Sequence, residues 1–132
     1  MRFEPVDPPR EFTAGRRRLT LRHVGDGWLE PDELLTLRTE SGTEVDVVRK
    51  SWGYYGSPSL NARLRDHGLR AVLTMGVPRD GDEAARMYVM YVEAGHEADF
   101  EAYLAADDIE IVAWLDSDEA VERAADALRG RA

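Results

Sequence analysis

An α+β domain is what this sequence predicts: a ferredoxin-like β-α-β-β-α-β core with an N-terminal β-hairpin extension and a C-terminal helix. Three observations predict it. Strand-like segments rich in β-branched or apolar residues stand at 44–50, 69–76, 87–92 and 109–115. Stripes of helical period lie between them and after them, and glycine or proline punctuates nearly every junction. From residue 44 this gives the split βαβ order followed by a final helix, preceded by one or two extra strands.

The first ten residues hold Pro5, Pro8 and Pro9, so 1–17 reads as an extended N-terminal arm of a single domain spanning 1–132. Alternation from Arg18 to Val24, with Leu19 and Leu21 on one side, predicts a strand that Gly25-Asp-Gly27 ends. Glu33–Thr39 and Glu44–Lys50 flank Ser41-Gly42 and predict an antiparallel hairpin. Ser57 before Pro58 has the form of a cap plus a first-turn proline, and Leu60, Leu64 and His67 follow at helical spacing. A helix is therefore expected from Ser57, with Gly68 ending it in a left-handed conformation.

Leu69–Gly76 and Met87–Val92 predict a second hairpin around the polar loop 78–82. Met87-Tyr-Val-Met-Tyr-Val92 is apolar on both faces, so something must cover each face, and a homodimer is the expected solution. Phe100, Tyr103 and Leu104 share one side of a short helix, and Ile109–Leu115 is the last strand. Asp116 with Glu119 has capping-box spacing before the Val121, Ala124, Ala125, Leu128 stripe, which Gly130 closes.

Composition excludes several classes of function. There is no cysteine, hence no disulfide, thiolate metal site or cysteine nucleophile. Without a long apolar run, or an apolar segment in MRFEPVDPPR, the expectation is a cytoplasmic protein with no membrane partner. Net charge is −9: residues 1–79 carry 13 basic and 11 acidic side chains, residues 80–132 carry 4 and 15. So acidic a chain repels nucleic acid, and no nucleic-acid partner is expected. Arg16-Arg17-Arg18 with Arg22 is the one basic cluster and reads as a defended strand edge.

Recognition chemistry is densest at 50–63. Lys50, Trp52, Tyr54, Tyr55, Gly56, Ser57, Ser59, Asn61 and Arg63 fall between an expected strand and an expected helix. A capped helix start offers free N–H groups, the two cations add charge, and the rings offer flat surfaces. These residues are the candidate site for a small ligand with an anionic and a flat or aromatic part. The same rings on an open surface would instead form a docking site for a larger partner.

Neither the phosphate-loop ending nor the dinucleotide glycine pattern is present, and no cofactor is expected. His23, His67 and His96 fit no zinc spacing, and Asp80, Asp82 and Glu83 lack an EF-hand pattern, so no metal is expected. The stretch Tyr91-Val-Glu-Ala-Gly-His-Glu-Ala-Asp-Phe-Glu-Ala-Tyr103 resembles the strand-Gly-helix passage of dimeric α/β-barrel proteins, which include cofactor-independent monooxygenases. In that family the passage belongs to the first βα unit, and here it falls in the second. The resemblance implies an enzyme alternative, with Tyr54, Tyr55, His67 or Lys50 beside an enclosed apolar cavity.

Overall fold

A computed structural model describes residues 1–15, 18–78 and 84–131. Arg16 and Arg17 of the basic cluster, and Asp80, Asp82 and Glu83 of the acidic loop, lie outside the described residues. The chain is α+β, as the sequence predicts, with every sheet antiparallel.

Strands β1 (Arg2–Ala14) and β2 (Leu19–Trp28) form a long hairpin. The expected arm is thus extended, but it is also hydrogen-bonded along much of its length. The register shifts between Pro5 and Arg10, where Pro8 and Pro9 have no N–H to give to a ladder.

Strands β3 (Leu34–Arg38), β4 (Glu44–Lys50) and β5 (Gly53–Ser57) make a three-stranded meander. The hairpin expected around Ser41-Gly42 is present, with Gly42 at φ +97° in the turn. Strand β5 corrects the sequence reading. Lys50 pairs with Gly53 around the two-residue turn Ser51-Trp52, and Ser57 pairs with Asp46. Ser57 therefore ends a strand instead of capping a helix, and helix α1 spans only Arg63–Asp66, with Ala62 before it. Long-range pairing to β4 outweighs the local cap signal of Ser57-Pro58. The apolar spacing still does its work, since Leu64 is fully buried and Leu60 packs beside it. Gly68, at φ +83°, ends the helix as expected.

Strands β6 (Leu69–Gly76), β7 (Arg86–Glu93) and β8 (Ile109–Trp114) form the third sheet, in the order β7-β6-β8. This differs from the ferredoxin-like order, in which the strand at 44–50 would share a sheet with these three. Here β4 is taken up by β3 and β5, and β6 stands at the centre, paired to both neighbours. Helix α2 (Glu97–Asp107) lies on one face, where Phe100 meets Trp114 edge-on at 6.1 Å. Helix α3 (Asp118–Leu128) is capped by Ser117, whose Oγ accepts from Ala120 N–H at 3.1 Å, in place of the expected Asp116.

The core runs between the second and third sheets. Leu64, Leu69 and Ala71 are its centre, with Val45, Leu60 and Leu115 packed against them. Glu93 of β7 ties the sheets at their rim by accepting from the hydroxyls of Ser41 at 2.8 Å and Thr43 at 3.1 Å. No helix among the described residues is long and apolar enough to cross a membrane.

Candidate functional site

The β4–β5 hairpin distributes the residues of 50–63 over two faces of its sheet, because side chains alternate along a strand. Tyr55 pairs with Val48, which pairs with Leu34, so these three form one row across the sheet. Trp52, at the turn, stacks on Tyr55 with centroids 6.3 Å apart and planes within 19°. Tyr54 falls on the opposite face beside its pair Arg49, whose guanidinium carbon lies 5.4 Å from the ring centre.

These rings are open to solvent: Trp52 is 70% exposed, Tyr54 56% and Tyr55 46%. Leu34, in the same row as Tyr55, is 53% exposed. The result is an exposed aromatic and aliphatic platform of Trp52, Tyr55 and Leu34, with Val48 buried in the row between Tyr55 and Leu34. Two of its charged neighbours are ion-paired and a third is hydrogen-bonded. Lys50 donates to Asp32 at 2.5 Å, Arg38 to Glu44 at 2.5 Å, and the Thr36 hydroxyl to Asp46 at 2.7 Å. The hydrogen bond and charge of Asp32 hold the Lys50 ammonium pKa above its ordinary value.

The other sequence candidates are dispersed. Gly56 brings β5 against β7, since a Cβ placed on it would stand 3.2 Å from the Tyr91 hydroxyl. Ser59 Oγ accepts from Arg63 N–H at 3.3 Å and so shapes the turn into α1. Asn61 donates to Asp118 at 2.6 Å and fastens that turn to the start of α3. Arg63 is exposed and has no ion-pair partner among the described residues. A helix-start anion site at Ser57 is absent because no helix starts there. The structure brings Trp52 and Tyr55 together, and separates both from Asn61 and Tyr54 in partners and face.

A second feature escaped the sequence reading. A cleft of about 470 Å³ opens at the far end of the third sheet. Arg86, Tyr88 and Met90 line it from alternate positions of β7, Tyr103 and Asp107 from α2, and Ile109 from β8, with the hairpin tip at Gly15 beside them. Its one sequence signal is the period-two alternation of Arg86, Tyr88 and Met90. None of residues 50–63 lines this cleft, and neither does His67.

Among the described residues no group of three or more His, Asp or Glu side chains is placed to hold a metal ion. No protein-family model matches the chain, and no curated protein or solved structure is significantly similar to it.

Proposed function

We propose that the chain is a protein-interaction module that pairs with a second copy of itself through the Trp52–Tyr55 platform. The observation behind this reading is the exposure of the stacked pair together with Leu34 on one sheet face. Tryptophan and tyrosine dominate the binding energy of protein interfaces, and such rings are costly to leave in water. Electrostatics select the occupant. On this face Lys50 is paired with Asp32 and Arg38 with Glu44, which limits the charge that two copies of a chain of net charge −9 bring together here. A self-matching patch closes into a twofold dimer, the commonest symmetric assembly.

This is the homodimer expected from the doubly apolar strand at 87–92, with its contact at a different face. The compartment proposed is the cytoplasm, on the absence of cysteine. A second reading gives the same rings to a small anionic and aromatic metabolite. It is favoured by the exposed, stacked faces of Trp52 and Tyr55, while Arg63 is not brought beside them.

Sedimentation velocity tests the proposal. The wild-type chain is expected to sediment as a dimer and Trp52→Ala with Tyr55→Ala as a monomer. Val89→Lys, on the other exposed sheet face, is expected to leave the dimer intact. A monomeric wild-type chain, or a dimer lost only on Val89→Lys, overturns the proposal.

A further inference from the structure

We infer that the cleft at the end of the third sheet is a binding site for a small planar aromatic carboxylate, held by Arg86. It is separate from the platform above, and neither reading depends on the other.

The cleft exists because of one residue. Gly76 pairs with Arg86 on one side and with Ile109 on the other, so this row of the sheet has no side chain at its centre. The next row has only the small, fully buried Thr74 between Tyr88 and Ile111. Helix α2 crosses above. Its Phe100 fills the space over Trp114, but over Gly76 the space stays open between Tyr103 and Tyr88. A Cβ added at Gly76 would find its nearest neighbour, the Arg86 carbonyl oxygen, at 3.9 Å. The glycine therefore leaves room that no atom of the described residues fills within 3.9 Å of that position.

Size and lining define the ligand. About 470 Å³ suits a small organic molecule. Tyr88 and Tyr103 supply aromatic walls, and Met90 and Ile109 supply apolar ones. Arg86 is the only cation among the described lining residues, and it has no ion-pair partner among the described residues. A guanidinium presents a planar fork that fits a carboxylate in two parallel hydrogen bonds. Asp107, 8% exposed, already has an interaction within the protein and sits against the hairpin tip. There a Cβ on Gly15 would come within 3.0 Å of its Oδ2. The carboxylate end of the ligand thus belongs at Arg86, and its ring lies over Gly76.

Benzoate and its uncharged isostere benzamide are the probes, with binding followed by ligand-detected NMR and calorimetry on the full chain. Benzoate is expected to saturate the wild-type chain at millimolar concentration and to bind about tenfold more tightly than benzamide. Arg86→Gln, an exposed change, is expected to remove that preference while benzamide binding stays within about twofold. Gly76→Val, whose β-branched side chain suits a strand, is expected to abolish binding of both probes with the melting transition retained. Absence of saturable benzoate binding overturns the inference. So does a preference that survives Arg86→Gln, or binding that survives Gly76→Val. Trp52→Ala is expected to leave benzoate binding unchanged, which separates a failure here from a failure of the dimer proposal.

Discussion

Trp52, in the two-residue turn between β4 and β5, stacks with Tyr55 of β5, and the pair stays open to water instead of closing onto the core. A side chain so exposed adds little to the fold of one chain. Trp52→Ala should therefore shift unfolding by less than about 0.5 kcal/mol under dilute, monomeric conditions. Association should weaken by about 2 kcal/mol or more, which concentration-dependent sedimentation would read.

Arg70 joins three elements at the covered face of the third sheet. Its Nε donates to Asp116 at 2.7 Å, its Nη1 lies 3.6 Å from Glu97, and its guanidinium carbon is 4.0 Å from the Trp114 ring centre. Arg70→Met keeps the stem but strands the half-buried Asp116. A loss of about 1–2 kcal/mol in urea unfolding is expected, more than an exposed ion pair would give. A neutral result would show that solvent already screens the cluster.

Glu93 gives the fold an acid-sensitive joint. Hydrogen bonds from the hydroxyls of Thr39, Ser41 and Thr43, with the nearby His96, hold its carboxyl below the ordinary carboxylate range. A depressed folded-state pKa contributes stability that is fully present above the unfolded value and is lost as pH falls through the folded one. The wild-type chain should thus lose more stability than Glu93→Gln between neutral pH and about pH 3. Parallel denaturation curves for the two proteins across that range would contradict this role.

The glycines at 68 and 76 should respond oppositely to alanine. At Gly68, φ is +83° and a Cβ would stand 2.9 Å from Thr43 Cγ2, so Gly68→Ala should cost about 1–3 kcal/mol. At Gly76 the added methyl group meets nothing closer than 3.9 Å, so thermal melting should change little or rise.

What the sequence could show follows from how local each signal is. Strands β6, β7 and β8 are mostly apolar segments of strand length, and their limits are near those predicted. Helix α3 has a stripe of helical period, of which Val121, Ala124 and Ala125 are half-buried and Leu128 stays exposed, and its cap moved from Asp116 to Ser117. Strand β5 was hidden because Gly53-Tyr-Tyr-Gly56 has little alternation and Ser57-Pro58 imitates a helix start. Pairing across the chain decided that segment, and it decided sheet order too: Ser41-Gly42 marks β3 as one neighbour of 44–50, but nothing in the strand says that β5 is the other. The Arg86 cleft is equally non-local, since it needs a missing side chain at Gly76 and α2 above it.

A chain without cysteine allows one measurement aimed directly at the dimer face. A spin label on Ser51→Cys, beside Trp52, reports the distance between copies by pulsed dipolar spectroscopy, with Val89→Cys as the competing face. Strong coupling at residue 51 and weak coupling at residue 89 is the predicted result. Coupling at 89 without coupling at 51, or none at either position, would contradict self-association through Trp52 and Tyr55.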